Sequence, residues 1–247
     1  MTMIESYATP TERVRFFPRQ MIGADDLNQE QTYHRQKRRQ HNRFLHGWGV
    51  VCGCDVRPAG EPKKPWQVRI CPGYLLTPQG DEIHVSAEVL FDVATCLSET
   101  TDPCAFSRPC PPVTRRAMDI RTLYLAVRYV ECDARPVRVA PVGCNCDDVD
   151  CEYSRIRDGY ELCCLSSLPA THTPTTVDCD ELCEPQAVLP CPPCPDDPWV
   201  VLATVTLPDT DTTPITLTDI DPLSGRMLLY STAMLQTLGR CLCQRTG

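Results

Sequence analysis

The chain has 247 residues, a net charge of −8 and 42% hydrophobic residues, which fits a globular protein long enough to bury a core. The acidic excess argues against nucleic-acid binding over the whole surface, since phosphates require cations. No apolar run reaches the roughly 18 residues of a membrane span. Residues 1–18 also lack the apolar segment of a secretory signal, so we expect synthesis in the cytosol.

Residues 13–22, RVRFFPRQMI, are apolar and aromatic with a proline in the middle, which predicts an edge strand or a docking arm. A helix is predicted over about 26–45, since Asp25 or Asp26 can cap its start and Gly47 follows its basic last turn. Few of its residues are apolar. We therefore expect residues 1–48 to form an arm and a helix that lies across the domain surface or packs against another protein.

From residue 49 onwards the pattern is typical of strands. Residues 121–132, RTLYLAVRYVEC, are the best candidate for a central strand, and 158–165 and 198–207 predict two more. Residues 223–243 carry a broad apolar face and predict a helix. The predicted fold class is α+β, mainly antiparallel β, with an N-terminal basic helix and a C-terminal amphipathic helix. Residues 49–132 and 198–247 would form its core.

The cysteine content is the most unusual feature, because the chain holds 18 of them. Many lie in residues 133–197, a Cys- and Pro-rich insertion. A segment of this length requires crosslinks, from metal ions or disulfides, to be ordered. One group reads C-x3-C-x7-C-x2-C and consists of Cys179, Cys183, Cys191 and Cys194. Two close pairs of thiolates joined by a loop can supply the tetrahedral ligands of zinc. Two disulfides fit the same spacing.

A second group consists of Cys144, Cys146 and Cys151, with Cys132, Cys163 and Cys164 as further candidate ligands. Three thiolates at this spacing can reach one zinc ion or an iron–sulfur cluster. A loop held by disulfides is the alternative. The only cofactor that we expect is zinc, at sites built from four cysteines.

A third group pairs Cys52 and Cys54 with Cys241 and Cys243, near the other end of the chain. These two C-x-C units could close one site. Cysteine also packs as a small apolar residue, and that interpretation is favoured here.

Catalytic motifs are missing from the sequence: it has no P-loop, no G-x-G-x-x-G after a strand, no G-x-S-x-G and no H-E-x-x-H. His34, His41 and His46 could form a metal group on the predicted helix, but such histidines are more often surface or packing residues. The CPPC of residues 191–194 lies in a Pro-rich loop and not at a helix start, so a redox role is weakly supported. We expect a protein that is not an enzyme.

The predicted helix contains HRQKRRQHNR, residues 34–43, a strongly basic stretch in an acidic protein. Such a helix can bind an acidic protein surface or, less readily, nucleic acid, and it can also be simply solvated. The candidate partner-binding residues are its basic and aromatic side chains together with the aromatic arm: Phe16, Phe17, Tyr33, Arg35, Lys37, Arg38, Arg39, Arg43 and Phe44.

Several stretches together resemble a domain encoded in phage-tail-like gene clusters, including extracellular contractile injection systems. These are RFFPRQMIGADDLN, a Tyr-bearing basic helix, HNRFLHGWGVV, PGYLLTPQGDEI, LYLAVRYVE, SRIRDGYELCCL and PWVVLATVTL. The resemblance implies a structural or accessory subunit at a baseplate, fibre-attachment or terminal position. It also implies partners among the other subunits and copies of the chain itself, in a particle that is released or attached to the envelope.

This chain departs from the pattern in its cysteine load, and it lacks a repetitive fibre shaft or a receptor-binding tip. An adaptor or cap is therefore favoured over a receptor-binding part. Two alternatives stay open: a zinc-binding module that places its basic helix on nucleic acid or an acidic partner, and a thiol-redox protein that uses CPPC.

Overall fold

The computed structural model describes residues 11–97, 121–138, 151–172, 191, 194–210 and 212–245. Helix α1 spans Ala24–His41 and continues into a π-helical turn, Asn42–His46, while helix α2 spans Thr232–Arg245. The strands are β1 (Gly49–Gly53), β2 (Val56–Pro58), β3 (Gln67–Ile70), β4 (Gly73–Leu76), β5 (Glu82–Val85), β6 (Val89–Asp92), β7 (Thr122–Arg138), β8 (Cys151–Leu165), β9 (Val200–Thr206) and β10 (Ile220–Asp221).

The described strands form three antiparallel sheets, in the orders β1-β4-β5, β2-β3-β6 and β10-β9-β7-β8. One core joins all three, because buried side chains from each sheet pack together, among them Leu75, Ile70 and Leu202. Strand β7 lies between β8 and β9, which confirms residues 121–132 as a central strand. The predicted α+β class, mainly antiparallel with a helix near each end, is confirmed.

Two predicted elements differ from the structure. Residues 13–22 form no strand, because the chain turns at Phe17–Gln20, where the Gln20 N–H donates to the Phe17 carbonyl at 3.2 Å. The C-terminal helix begins at Thr232 and not near 223. The residues before it run along β1 instead: Val50 donates to Met227 at 2.8 Å and Leu229 donates to Val50 at 2.9 Å. Backbone pairing with a buried strand replaces the helix there.

Strands β7 and β8 extend beyond the range that their sequence pattern indicated. The predicted insertion boundary at residue 133 falls inside β7, which pairs with β8 as far as Arg138 and Cys151. Pro136 is tolerated in β7 because, among the described strands, none but β8 pairs with β7 at that point. The stapling of residues 133–197 stays a prediction, since residues 139–150 and 173–190 lie outside the described part of the chain.

Candidate protein-binding surfaces

Helix α1 is held by its polar side chains, since none of its residues is buried. Its N-cap is Gly23 and not Asp25 or Asp26, because the Asp26 carboxylate accepts a hydrogen bond from the Gly23 N–H at 2.9 Å. Asp25 and Asp26 lie in the first turn and Arg38, Arg39 and His41 in the last, which suits the helix dipole at both ends. Local charge therefore favours the helix, but it does not fix its position.

The position of α1 is fixed by an ion pair between Arg39 and Asp81. Arg39 Nε donates to Asp81 Oδ1 at 2.7 Å, and only 8% of the Asp81 side chain is exposed. Burial alone would lower the pKa of Arg39, but the hydrogen bond and charge of Asp81 outweigh it and raise that pKa. The Arg39 guanidinium therefore stays charged and its hydrogen bond to Asp81 is charge-assisted.

The last turn of α1 contacts the β4–β5 turn directly. Gly80 has φ +92, and a Cβ at this position would lie 2.4 Å from the Arg39 carbonyl oxygen, so a residue without a side chain is required. Asn42, which is buried, donates from Nδ2 to the Gly80 carbonyl at 2.8 Å. The backbones of the helix and the turn are thus in contact.

One turn earlier in the helix, Arg35 donates to the Glu131 carboxylate on β7. The hydroxyl of Tyr129, on the same face of β7, lies 2.6 Å from an Asp158 carboxylate oxygen and 3.3 Å from one of Glu131, so it can donate to either. Burial, followed by the hydrogen bond to Asp158, raises the pKa of Tyr129. This network joins α1 to the β7–β8 pair.

Two of the predicted partner-binding arginines, Arg35 and Arg39, are therefore engaged within the chain, and Arg38 lies 3.9 Å from Glu82. The acidic partner surface that the basic helix predicted is supplied in part by this domain itself. Reasoning from sequence missed Asp81 and Glu131. The acidic pair in GDEI, residues 80–83, was the available signal, because it matches the basic helix in charge.

The other predicted residues on the helix leave a mixed surface. The ammonium of Lys37 lies 6.0 Å from the centre of the half-buried Tyr33 ring, and the Arg43 guanidinium lies 5.2 Å from the Phe44 ring. Phe44 is 42% exposed and its neighbour Leu45 is 69% exposed. Cationic and apolar groups thus lie side by side, as at protein interfaces.

Residues 11–23, which we call the arm, lie beside α1. The Val14 N–H donates to Glu30 at 3.3 Å, and the Phe17 N–H donates to the Gln20 side chain at 3.1 Å. The apolar side chains of the arm nevertheless point to solvent: Phe16, Phe17, Met21 and Ile22 are each more than half exposed. The arm is positioned by polar contacts and leaves its apolar residues uncovered.

Helix α2 exposes an apolar face. Every side chain described in it, from Thr232 to Cys241, is exposed. Leu238 lies four residues after Met234 and three after Leu235, which places it on one face with both, and each of the three is between 42% and 55% exposed. Among the described residues, none buries this face.

The predicted metal ligands are only partly described. Cys144, Cys146, Cys179 and Cys183 lie outside the described residues, whereas Cys151, Cys191 and Cys194 are exposed. In the ranges that are described, no group of three or more His, Cys, Asp or Glu residues is arranged to hold a metal ion. Zinc at the first two cysteine groups stays a prediction.

Other cysteines have structural positions. Cys163 is disulfide-bonded, and it lies buried with Cys164 in β8, opposite Ala126 and Leu125 of β7. Cys54 is fully buried in the core, and burial raises the pKa of its thiol to about 11. Such a thiol is protonated and packs as an apolar group, in line with the favoured interpretation of the third cysteine group. Cys52 and Cys241 are exposed.

The histidines include one that is buried, His172. Its Nε2 accepts a hydrogen bond from the Val201 N–H at 3.1 Å, and its ring meets the Trp48 ring edge-on at 4.7 Å. Burial lowers its pKa to about 4 against the opposing charge of Asp197. The ring is therefore neutral at pH 7 and supports the packing. His34 pairs with Glu30 at 3.0 Å, and the rings of His41 and His46 lie 5.2 Å apart.

No helix in the described ranges is long and apolar enough to cross a membrane. No family model matches the sequence, and no curated protein matches it. Among solved structures, the chain is similar to one in the cryo-electron microscopy structure of the type VI secretion system TssK-TssF-TssG baseplate subcomplex. The match has 9% identity and a TM-score of 0.38, and it covers 80% of this chain and 57% of that one. A TM-score below 0.5 does not establish a common fold, so the function proposed below rests on this chain's own residues.

Proposed function

We propose that this chain is a structural subunit, not an enzyme, of a contractile injection system or phage-tail-like particle. It would act as an adaptor or cap that binds neighbouring subunits through the arm and α2. The observation that carries the proposal is the exposure of large apolar side chains on both elements. Phe16, Phe17 and Met21 on the arm and Leu235 and Leu238 on α2 are between 42% and 93% exposed.

Clustered exposed apolar residues are the usual sign of an interaction surface, since scattered ones are normal and contiguous ones are unfavourable in water. Aromatic residues and methionine are also enriched in protein interfaces. The arm combines both residue types with Arg15 and Arg19. A subunit whose two ends carry such surfaces can join two neighbours.

The kind of particle is proposed from the sequence resemblance described above. The nucleic-acid alternative loses support, because Arg35 and Arg39 already pair with carboxylates of the same domain. A phosphate backbone would have to compete with those pairs.

Zinc in the segment 133–197 remains part of the proposal, with disulfides as the alternative. Native and denaturing mass measurement under non-reducing conditions, with elemental analysis, separates them. About two zinc ions lost on denaturation, with free thiols, would support metal. A mass lowered by two hydrogens per cysteine pair, with no metal, would support disulfides.

The function is tested by assembly. The gene for this chain is co-expressed with its neighbouring genes, and the particles that form are examined by electron microscopy and mass spectrometry. We expect the wild-type chain in intact particles. Phe16→Ala with Phe17→Ala should remove it from them without unfolding it.

The matched control is Leu90→Ala with Leu217→Ala, which truncates two exposed apolar residues outside the arm and α2. This variant should assemble normally. The proposal fails if the neighbouring genes yield no particle that contains the chain, or if both variants are incorporated equally.

A further inference from the structure

Strands β7 and β8 project from the sheet as a two-stranded ribbon. Strand β9 pairs with β7 only from Thr122 to Val127, whereas β7 and β8 stay paired as far as Arg138 and Cys151. At about 3.4 Å per residue, the part beyond β9 is roughly 35 Å long. Among the described strands, nothing pairs with the outer edge of either strand there.

One face of this ribbon is cationic. Residues directly opposite each other in an antiparallel pair share a face. The pairs on this face are Cys132 with Arg157, Ala134 with Arg155 and Pro136 with Tyr153. Both arginines and the tyrosine are exposed, and the described part of this face beyond Val130 carries no carboxylate. We call it the cationic face.

The other face is acidic. Its pairs are Glu131 with Asp158, Asp133 with Ile156 and Val137 with Glu152. Alternation along β7 also places the exposed Arg135 on this face, and Glu131 is already paired with Arg35 of α1, so four carboxylates face one arginine of the ribbon. Asp133, Glu152 and Asp158 are exposed, and the apolar Ile156 beside them is 63% exposed. We call it the acidic face. The carboxylates of the ribbon therefore lie on one side, with an excess over Arg135, and Arg155 and Arg157 lie on the other. Each side also has an exposed apolar or aromatic side chain.

We propose that copies of this chain bind one another through the ribbon, with the cationic face of one copy on the acidic face of the next. Charge complementarity points to a second copy as the partner, because both halves of the complementary pair belong to the same ribbon. The contact is heterologous, since different faces meet, and it can propagate from copy to copy.

The energetics of the ribbon favour the same partner. A two-stranded ribbon alone is marginal in water, and this one exposes Tyr153 at 56%, Ile156 at 63% and Val137 at 44%. Face-to-face contact would bury these side chains and exclude water from the charge pairs. The inference concerns contact between copies, so it does not depend on the particle proposed above.

The test uses two charge-reversal variants of the full chain, measured by analytical ultracentrifugation at low salt. Arg155→Glu with Arg157→Glu makes both faces acidic, and Asp133→Lys with Glu152→Lys makes both faces basic. We expect concentration-dependent association of the wild type. Each variant alone should associate more weakly, by roughly tenfold or more. An equimolar mixture of the two should regain association, because their faces are complementary again.

The control is Lys63→Glu with Lys64→Glu, which makes the same change in net charge as the arginine reversal at two exposed residues outside the ribbon. It should associate like the wild type, and circular dichroism should show all variants folded. The proposal is overturned if the wild type stays monomeric, if the reversed variants associate like the control, or if the mixture stays apart. Wild-type association that survives in both reversed variants would place the contact on the arm or α2 instead.

Discussion

The two helices differ in what their sequences indicate and in where their side chains lie. Helix α1 is almost entirely polar, yet it contacts the domain through Arg39, Asn42 and Arg35. Helix α2 has the amphipathic pattern that usually marks a helix packed on a core, yet its described side chains are exposed. Polarity alone therefore does not identify the helix that belongs to the domain. We interpret α1 as part of the domain, and the function proposed above assigns α2 to contacts with other subunits.

The largest effect is expected from a substitution that disrupts the contact between α1 and the β4–β5 turn. Gly80→Ala should lower the free energy of unfolding by about 4 kcal/mol, because the new methyl group meets the Arg39 carbonyl and the residue has a positive φ. Urea unfolding measures the change. The control is Gly60→Ala, since Gly60 also has a positive φ, of +72, but open space around it. An equal loss in both variants would contradict contact between the helix and the turn.

The contact between His172 and Trp48 gives a pH-dependent test of the link between α1 and the sheet. His172 packs on Trp48, just after the π-helical turn, with a pKa of about 4 in the folded chain against an ordinary 6.5. Between pH 6.5 and pH 4, His172 binds a proton in the unfolded chain but not in the folded chain. The free energy of unfolding therefore falls as the pH falls from 7 to 4. The contribution of this residue is about 3 kcal/mol.

Urea unfolding at both pH values, on the wild type and on His172→Gln, isolates that contribution, because glutamine does not titrate. The wild type should lose about 3 kcal/mol more than the variant on acidification. Equal losses would mean that the ring is not held neutral in the fold.

Removing the ion pair should have a smaller effect. Arg39→Met leaves the buried Asp81 carboxylate without its cation, and we expect a loss of about 2 kcal/mol. Arg38→Met removes a more exposed arginine, 3.9 Å from Glu82, and should change stability by less than about 0.5 kcal/mol. Denaturant unfolding compares the two. If Arg38 matters as much as Arg39, α1 is held by general charge and not by this pair.

The smallest effect is expected on α2. Leu235→Ser with Leu238→Ser should leave the stability of the isolated chain within about 0.5 kcal/mol, since neither side chain is buried. The same variant should bind neighbouring subunits less well in the assembly experiment. A loss of about 2 kcal/mol or more in thermal unfolding of the isolated chain would show that α2 packs on its own domain.

The sequence predicted what depends on local pattern. The alternation in 121–132 marks β7, the acidic start and basic end mark α1, and the apolar spacing marks α2. The contacts of α1 could not be predicted in the same way. Arg35 and Glu131 are far apart in the chain, and only the folded sheet brings them together.

Similar reasons explain the misplaced boundaries. Residues 223–231 have a helical apolar pattern, but residues 223–226 form a turn and residues 227–229 pair with Val50. The insertion was expected to begin at residue 133, but the strand continues through Pro136, where no described strand other than β8 needs the missing N–H of the proline. Cysteine spacing did not show that Cys163 is disulfide-bonded, because spacing constrains loop geometry and not the choice of partner.

Hydrogen exchange of the isolated chain, read by mass spectrometry, tests the central claim most directly. If α1 belongs to the domain, amides in Ala24–His41 should exchange slowly, near the rate set by global unfolding. Amides in Thr232–Arg245 should exchange faster, by roughly a hundredfold or more, because no described packing holds α2 closed. Equal exchange rates in the two helices, or slower exchange in α2, would contradict the account.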